Sequence, residues 1–397
     1  MRILNVTAQK PNSTGSGIFL TELMKEFANM GHTQALVAGV YPNEKTQVPD
    51  QVTFYPVYFE QGDLNFPIVG MSDEMPYPST RYQDLTPEME KVFKESFLKQ
   101  LEDAVRDLNP DLILCHHLYL LTAIVREHFP DRKVCGFCHN TDLRQMQKTD
   151  LEREYIASQI RRLDQIFSLH AEQKRTIQDI YDVPKEKIRV IGMGYNNHIF
   201  KNESRRVDDG VTRIVFAGKI SVKKGVESLI RSLNYLGYEK DKIELFLAGG
   251  AGNEEEYHQI VELSKKCPYT VKFLGKLPQE ELAKVYNSCD IFALLSFSEG
   301  LPLTVIEALA CGDRVVMTDL PGVKEWLGTY APGADVRYVT LPLMRNVDEA
   351  VPATLPDFER RIGQRIWEAV EAGETKEVDV SGLSWTKIAD AVLKALS

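Results

Sequence analysis

The strongest constraint on the fold is an alternation of apolar, strand-like runs with amphipathic helical stretches, and this alternation occurs twice. In the first half the run RILNVTA is followed by the loop PNSTGSG and the helical stretch IFLTELMKEFANMGH, which ends near Gly31. The second half restarts with TRIVFAG, the loop KISVKKG and the helical stretch VESLIRSLNYLG. Strands that alternate with helices predict an α/β fold whose parallel sheets are covered on both faces.

Chain length and one polar segment predict two domains. The 397 residues exceed what one ordinary core accommodates. The segment HIFKNESRRVDDGVT, residues 198–212, is charged and has no apolar periodicity, which is typical of a linker. We therefore expect two doubly wound, Rossmann-like domains that face a central cleft. In such folds ligands bind at the carboxyl ends of the strands.

Composition narrows the function classes. A net charge of −10 leaves no surplus of Lys and Arg to neutralise nucleic-acid phosphates, and it disfavours an anionic membrane surface without excluding it. The N-terminal run MRILNVTAQKPNSTGSG turns polar too early for a signal peptide, and the sequence contains no apolar stretch of about 18 residues. These features predict a cytoplasmic protein that binds no nucleic acid.

The six cysteines predict reduced, buried thiols. Only Cys135 and Cys138 have the CxxC spacing, and no second CxxC completes a zinc site. A redox or metal role for this pair is the alternative that the sequence leaves open.

One long segment, residues 61–88, breaks the alternation. It is rich in Pro, Met and aromatic residues and has no clear period. Loops of this length inside a compact domain are usually functional or disordered. Apolar residues such as Phe66, Ile68 and Met71 favour packing, which predicts an ordered lid or an acceptor-side loop.

The loop after TRIVFAG has the composition of an anion site. Gly218 and Gly225 flank it, and Lys219, Lys223 and Lys224 precede a helix start. Ammonium groups, free backbone N–H groups and the helix dipole together attract phosphate oxygens. A solvated run of charges is the alternative.

Two carboxylates lie in the run SFSEGLPLTVIEALACG. Pro302 fits the first helical position, which leaves the N–H groups of Leu303 and Thr304 among the unsatisfied donors of a helix start. Glu299 lies in the preceding loop, and Glu307 lies about one turn inside the helix, where a carboxylate suits a sugar diol better than a phosphate. The alternative is an ordinary helix-start acid and a surface acid.

These residues resemble a known family. The run SEGLPLTVIEALACG resembles the E-x7-E signature of retaining glycosyltransferases of family 4, which have the two-domain GT-B fold. FAGKISVKKGVESLI and KIRVIGMGYNNHIF resemble two further segments of that family, and the similarity covers nearly the whole chain. The resemblance implies an N-terminal, acceptor-side domain over residues 1–200 and a C-terminal, nucleotide-sugar-binding domain over residues 201–380. A C-terminal helix over residues 381–397 is expected to pack back toward the N-terminal domain.

The resemblance also implies roles for residues of the second half. Lys219 and Lys224 match the basic pair that grips the nucleotide diphosphate, in the loop that begins at Gly218. Glu307 matches the glutamate that binds the ribose, and Glu299 matches the one that contacts the hydroxyls of the donor sugar. The loop whose backbone amides meet sugar and phosphate is matched by Gly300, Leu301, Pro302, Leu303 and Thr304.

In the first half, His139 in FCHNTD resembles the histidine that reaches the donor sugar near the reacting carbon. The stretch from Gly15 to Gly17 resembles the glycine-rich loop that closes over the diphosphate. The chain departs from the family pattern at Lys219, where arginine is usual, at Leu295, where proline is usual, and at MGYN, which replaces N-G-V-D. Lys219 keeps the positive charge but lacks the bidentate geometry of arginine.

Other single residues are interpreted as structural. His116 and His117 end the strand-like run PDLILCHH and are predicted to be satisfied structural histidines. Asp142 is expected to cap and orient the loop that carries His139. Trp385 is predicted to be a core residue rather than a sugar platform.

The resemblance implies transfer of a sugar, with retention of configuration, from a nucleotide-diphosphate donor to a hydroxyl acceptor; UDP is the commonest nucleotide in the family. No DxD motif is present, so we expect a reaction without metal or cofactor, in which the lysines and the helix N-terminus stabilise the leaving diphosphate. Same-face attack, with a phosphate oxygen of the leaving group taking the acceptor's proton, requires no protein base. Glu299 as a covalent nucleophile is the alternative. The first helix carries Glu22, Lys25 and Glu26 rather than a basic face, which favours a soluble acceptor.

Three alternatives belong to other function classes. A GT-B sugar-nucleotide epimerase shares the fold but not the family-4 signature. A dinucleotide-dependent oxidoreductase requires G-x-G-x-x-G, and TGSGIF lacks the third glycine. A catalytically inactive, GT-B-shaped partner of another transferase is expected to lose its charged donor residues, whereas Lys224 and Glu299 are present. The sequence therefore favours a retaining, hexosyltransferase-type enzyme.

Overall fold

The chain divides into two compact units in the computed structural model, which describes residues 1–44, 46, 48–299, 301–373 and 377–396. The first unit consists of Met1–Gly194 together with Trp385–Ser397, and the second consists of Tyr195–Ser384. The sequence predicts boundaries after residues 200 and 380, so the two divisions differ by a few residues at each place.

The first unit is built on a seven-stranded parallel sheet with the strand order β3-β2-β1-β6-β7-β8-β9, and β4 and β5 form a separate short pair. In chain order its elements are β1 (Arg2–Thr7), α1 (Gly15–Asn29), β2 (Thr33–Val40), β3 (Val52–Tyr58), β4 (Val69–Gly70), β5 (Thr80–Arg81), α2 (Pro87–Leu108), β6 (Leu112–His116), α3 (Leu120–His128), β7 (Val134–Phe137), α4 (Thr141–Lys148), α5 (Arg153–Ile160), β8 (Gln165–Ser168), α6 (Ala171–Tyr181) and β9 (Ile188–Val190).

The second unit is built on a six-stranded parallel sheet with the order β12-β11-β10-β13-β14-β15. The remaining elements of the chain are β10 (Thr212–Ala217), α7 (Val226–Ser232), β11 (Ile243–Ala248), α8 (Glu254–Ser264), β12 (Thr270–Gly275), α9 (Gln279–Ser288), β13 (Ile291–Leu294), α10 (Leu303–Ala310), β14 (Arg314–Thr318), α11 (Val323–Tyr330), β15 (Val336–Val339), α12 (Leu355–Val370) and α13 (Trp385–Lys394). The described helices of both units are too short or too polar to span a membrane.

Each sheet has a switch point at which its strand order reverses. This point lies between β1 and β6 in the first unit and between β10 and β13 in the second. The strands are near-continuous apolar runs because helices cover both faces of the sheet. The predicted α/β fold with two doubly wound sheets is confirmed. Since ligands of such sheets bind at the carboxyl ends of the strands beside the switch point, the loops after β10 and β13 are the expected location of a binding site in the second unit.

Helix α1 begins earlier than the sequence predicts. Gly15 and Gly17 are expected in a loop, but they form the first turn of α1, so that expectation is wrong. The Thr14 side chain accepts a hydrogen bond from the N–H of Gly17 at 3.1 Å, and this cap starts the helix in spite of the glycines. A β-carbon at position 17 would lie 2.8 Å from the backbone nitrogen of Asn12, so the close approach of the preceding loop requires glycine.

Among the strands that the sequence pattern does not indicate are β3, β8, β9 and β15. Strand β3 contains Pro56, which cannot donate a ladder hydrogen bond, and it is tolerated because β3 lies at the edge of the sheet. The other three strands have only three or four residues, too few to show a period.

The segment from residue 61 to residue 88 is packed onto the first unit. Phe66 and Ile68 are buried in its hydrophobic core, and the N–H of Ile68 donates to the Tyr41 hydroxyl at 3.2 Å. The Gln145 side chain donates to the carbonyl of Met71 at 2.9 Å, which attaches the segment to α4. The expectation of packing is confirmed, and a role as lid or acceptor-side loop stays a prediction.

The predicted linker is hydrogen bonded to the second unit. Arg206 donates to the Asp313 carboxylate at 2.8 Å, and the N–H of Glu203 donates to the Asn287 side chain at 2.6 Å. Burial raises the pKa of Asp313 well above its usual value, and the Arg206 guanidinium opposes that rise. Hydrogen bonds therefore hold the polar segment after residue 200 on the second unit.

The C-terminal helix α13 completes the first unit by packing on α1. The Trp385 ring meets the Phe19 ring edge-on, with ring centroids 5.2 Å apart, and it covers Gly194 so closely that a β-carbon there would lie 2.4 Å from the indole. The Thr386 hydroxyl donates to the Glu26 carboxylate at 2.8 Å. Trp385 is thus a core residue, as predicted.

Replacement of Trp385 by alanine tests how much α13 stabilises the first unit. Trp385 is 4% exposed, and truncation of a buried tryptophan typically costs about 3–5 kcal/mol. The control is Trp367→Ala on α12, where the ring is 47% exposed and we expect a loss of about 1 kcal/mol or less. Thermal unfolding followed by circular dichroism measures both losses, and equal losses would contradict the assignment.

Candidate active site

Two loops of the second unit meet beside its switch point. One runs from Gly218 to Gly225 after β10, and the other follows β13. The N–H of Phe297 donates to the carbonyl of Lys223 at 3.0 Å, which joins the loops. Gly225 has a φ of +70°, and a β-carbon there would lie 2.2 Å from the carbonyl oxygen of Leu295. Only glycine permits both this conformation and this approach.

The junction of the loops places a cation against a carboxylate. Lys224 Nζ lies 2.6 Å from Glu299 Oε1, and the two side chains are 29% and 16% exposed. The neighbouring Lys223 points elsewhere, toward Asp348 at 3.1 Å, and is 64% exposed. The structure therefore brings together the two charged residues that the sequence assigns to diphosphate and sugar, and separates them from the adjacent lysine.

Lys219 lies beside the loop that follows β11. Gly218 begins this loop and donates its N–H to the backbone of β11 at 2.9 Å, and the N–H of Ile220 donates to the carbonyl of Gly250 at 3.0 Å. The Lys219 side chain lies against Gly252, where a β-carbon would come within 1.9 Å of the lysine Cε. The loop after β11 thus supports Lys219.

Helix α10 begins at Leu303 rather than at Pro302. Pro302 precedes the helix with an extended backbone (φ −77°, ψ 106°), so its predicted place at the first helical position is wrong by one residue. No side chain of the described residues caps this helix start, which leaves the first-turn N–H groups of Leu303 and Thr304 as donors for an anion. Leu301 is buried, and Gly300 lies outside the described residues.

Glu307 is a buried carboxyl group inside α10. It is 7% exposed, and in the described part of the chain no group donates a hydrogen bond to its carboxylate. Burial raises the pKa of Glu307 to about 8. The alternative of a surface acid is therefore excluded. An unpaired buried carboxyl destabilises the fold, which is typical of a residue retained for binding or chemistry.

In the first unit, His139 follows β7 and is joined to His116. His116 Nδ1 lies 3.2 Å from His139 Nε2, and the rings are stacked with an angle of 13° between them. Burial lowers the pKa of His116 to about 3 and that of His139 well below its usual value. Both imidazoles are therefore neutral at neutral pH, and the predicted contact of His139 with a donor sugar stays a prediction.

Asp142 holds the loop that carries His139. Its buried carboxylate accepts hydrogen bonds from the N–H of His139 at 3.2 Å and from the N–H of Leu118 at 2.8 Å. The expected orienting role is confirmed, and it extends further than predicted, because Leu118 belongs to the loop after β6. The spacing of Asp142 three residues after His139, at a helix start, is the sequence signal for the first of these bonds.

The prediction that His116 and His117 are satisfied structural histidines is wrong in one respect. Both are buried, as expected, but Nε2 of each has no hydrogen-bond partner among the residues that the structure describes. Burial is also the main cause that lowers the pKa of His117. A buried imidazole nitrogen without a partner costs free energy, and no sequence pattern indicates it.

The two cysteines with CxxC spacing are buried and form no disulfide bond. Cys135 and Cys138 are free thiols, and burial raises the pKa of Cys135 to about 12 and that of Cys138 well above its usual value. Neither is a thiolate at neutral pH. Within the described ranges, no three His, Cys, Asp or Glu side chains are grouped as metal ligands.

Two models of glycosyltransferase sequences match most of the chain. Residues 13–197 match the model described as Glycosyltransferase Family 4, and residues 198–336 match the one described as Glycosyl transferases group 1. The chain belongs to the GT-B glycosyltransferases. The family resemblance and the fold class that the sequence indicates are thereby confirmed at this level.

Relatives within the glycosyltransferases match parts of the chain. The chain is 37% identical over 158 residues to a probable sucrose-phosphate synthase of Thermosipho melanesiensis. The match covers 38% of this chain and 36% of that protein. The first curated relatives are matched over 36 to 59% of their own length.

Solved glycosyltransferase structures share the fold over the whole chain. Sucrose-phosphate synthase from Thermosynechococcus elongatus superposes with a TM-score of 0.68 at 16% identity, covering 100% of this chain and 98% of that one. Anabaena HepE, solved in complex with UDP and glucose, superposes with a TM-score of 0.62 at 14% identity, covering 100% and 99%. At these identities the likeness shows the fold alone.

At alkaline pH the Glu307→Gln variant should be more stable than the wild-type protein. In the folded chain the Glu307 carboxyl has a pKa of about 8, whereas its usual value is 4.5. Between these values the folded state binds more protons than the unfolded state, so this group lowers the free energy of unfolding as pH rises. The glutamine variant lacks the titration, and its advantage over wild type should grow from about pH 5 to pH 9.

Urea unfolding of both proteins at several pH values measures this difference. Each pKa unit corresponds to about 1.4 kcal/mol, so the advantage at pH 9 should reach several kcal/mol if the full shift is expressed. The control is Glu325→Gln on α11, an exposed carboxylate, for which we expect a flat difference. A difference between Glu307→Gln and wild type that does not change with pH would contradict the burial argument.

Proposed function

We propose that this protein is a retaining glycosyltransferase that moves a sugar from a UDP-sugar donor to a hydroxyl acceptor. The observation that carries the proposal is the Lys224–Glu299 pair at the switch point of the second unit, beside the uncapped start of α10. A cation and a row of free N–H groups suit a diphosphate, and a carboxylate suits sugar hydroxyls. UDP is supported by its frequency in the family and by the HepE complex with UDP and glucose.

Under this proposal each charged group has one part of the donor to bind. Lys219, Lys224 and the first-turn N–H groups of α10 bind the diphosphate. Glu307 binds the ribose diol, for which its carboxyl must lose the proton that burial favours, because a carboxylate accepts both hydroxyl protons. Glu299 accepts hydrogen bonds from hydroxyls of the transferred sugar.

The proposed reaction exchanges one bond at the anomeric carbon for another. The bond from this carbon to the diphosphate oxygen breaks, and the acceptor oxygen forms a new bond on the same face. The acceptor's proton passes to a phosphate oxygen of the leaving diphosphate. Lys219, Lys224 and the helix start stabilise the charge that develops there, so the proposal includes neither a metal nor a cofactor.

The proposed acceptor is a soluble molecule with a free hydroxyl, such as a small molecule, a glycan or a peptide, and the proposed location is the cytoplasm. On α1 the ammonium group of Lys25 is paired with Glu22 at 2.6 Å, so this helix offers no basic face to an anionic surface. An epimerase and an inactive binding partner are not favoured, since the charged donor residues are present.

Lys224→Ala should abolish sugar transfer. The variant removes the cation next to the leaving group, and we expect kcat/KM for the donor to fall at least 100-fold, which corresponds to about 2.7 kcal/mol of transition-state stabilisation. The matched control is Lys223→Ala, which removes the adjacent, exposed ammonium and should change kcat/KM less than threefold. Circular dichroism verifies that both variants are folded. Full activity of Lys224→Ala at unchanged donor affinity would overturn the diphosphate assignment.

The reaction class is tested by the product. A thermal-shift screen of nucleotide sugars identifies the tightest donor, and turnover of that donor with candidate acceptors is followed by NMR. We expect an anomeric proton coupling that shows the donor's own configuration. An inverted product would contradict the retaining mechanism, and an epimerised nucleotide sugar would favour the epimerase. Glu299→Gln, which removes the negative charge but not the shape, should abolish transfer in the same assay.

A further inference from the structure

We propose that Ser296 and Thr318 are positioning residues which hold the Glu299 carboxylate so that one oxygen is bound to the protein and the other faces the donor sugar. This inference rests on the proposed function, because it concerns the residue that contacts the sugar. It assigns selection among sugars to two buried hydroxyl groups, neither of which touches the donor.

The two oxygens of Glu299 have different surroundings. Oε1 accepts two hydrogen bonds, one from Lys224 Nζ and one from Ser296 Oγ, and both distances are 2.6 Å. No described residue donates to Oε2. A carboxylate has about four acceptor positions, so Oε1 is occupied by the protein and Oε2 keeps its positions for hydroxyl groups.

Ser296 is itself held by the next strand of the sheet. Its carbonyl accepts a hydrogen bond from Thr318 Oγ1 at 2.6 Å, and both residues have 0% exposure. Strands β13 and β14 are parallel neighbours with Leu294 opposite Met317, which brings the loop after β13 beside Thr318 at the end of β14. Three hydrogen bonds therefore connect the interior of the sheet to Lys224 through Ser296 and Glu299.

Packing alone does not explain why both of these buried residues carry hydroxyl groups. A valine has nearly the shape of threonine, and an apolar residue at either position would avoid the cost of burying a polar group. The Thr318 hydroxyl donates to the Ser296 carbonyl and holds the backbone of Ser296, while the Ser296 hydroxyl donates to Glu299, so the two bonds in series fix the direction of the carboxylate. A fixed Oε2 accepts hydrogen bonds from hydroxyls with one stereochemistry, and an epimer leaves it unpaired, which is the arrangement that discriminates strongly.

Thr318→Val and Thr318→Ser form the matched pair that tests this inference. Valine keeps the volume and removes the hydroxyl, whereas serine removes a methyl group and keeps the hydroxyl. For Thr318→Val and for Ser296→Ala we expect kcat/KM for the preferred donor to fall about 10- to 100-fold, and the preference for that donor over its hydroxyl epimer to shrink at least tenfold. Affinity for UDP, which lacks the sugar, should stay within twofold of wild type in calorimetry. Thr318→Ser should retain the wild-type preference.

Two results would overturn the positioning role. One is an unchanged donor preference in Thr318→Val and Ser296→Ala, and the other is a loss of UDP affinity in proportion to the loss of activity, which indicates general damage. A crystal structure of the unliganded Ser296→Ala variant gives a readout that needs no activity: we expect the Glu299 carboxylate to leave its place beside Lys224, and an unmoved carboxylate refutes the inference. A wild-type protein that turns over no nucleotide sugar refutes the proposed function instead, and the crystal structure still decides the positioning role.

Discussion

The hydrogen bond between Phe297 and Lys223 joins two loops, and the arrangement of the charged groups depends on this junction. The loops follow neighbouring parallel strands at the switch point, where the strand order reverses and where ligands of such sheets bind. The approach is possible because Gly225 has no side chain to meet the carbonyl of Leu295. With the loops in contact, a lysine from one and a glutamate from the other form a partly buried pair. Without that contact, each would be an ordinary exposed charge.

Several polar groups in this structure are buried without hydrogen bonds that would offset the free energy lost when they leave water. The Nε2 atoms of His116 and His117 are buried, and the described residues provide no hydrogen-bond partner for them. The Glu307 side chain is also buried, at 7% exposure, and burial raises the pKa of its carboxyl group. A stable scaffold without a ligand to bind gains nothing from such groups. Under the proposed function, we interpret these groups as positions at which stability is lower than an apolar residue would give, in exchange for polar contacts with a ligand.

The sequence predicts the architecture well because apolar periodicity is a local property. It also indicates Lys224 and Glu299, since their positions after strands place them at the loop edge of a parallel sheet. It does not predict their pairing, nor the support from Thr318, because that hydrogen bond joins the end of β14 to the loop after β13, and no spacing rule connects residues so far apart in sequence. The start of α1 was misplaced for a different reason: glycine has low helix propensity, and the Thr14 cap outweighs it.

The first unit combines Met1–Gly194 with α13, which follows the second unit in the chain, and this has a consequence for biosynthesis. A ribosome releases the second unit, Tyr195–Ser384, in full before it releases α13, whose Trp385 covers Gly194 and packs on Phe19. The first unit is therefore completed only after the second unit has been synthesised, and until then its surface on α1 is uncovered. Exposed apolar surface on an incomplete domain favours association with chaperones or with other nascent chains. The surface on α1 that α13 covers can therefore be buried only after the second unit has been synthesised.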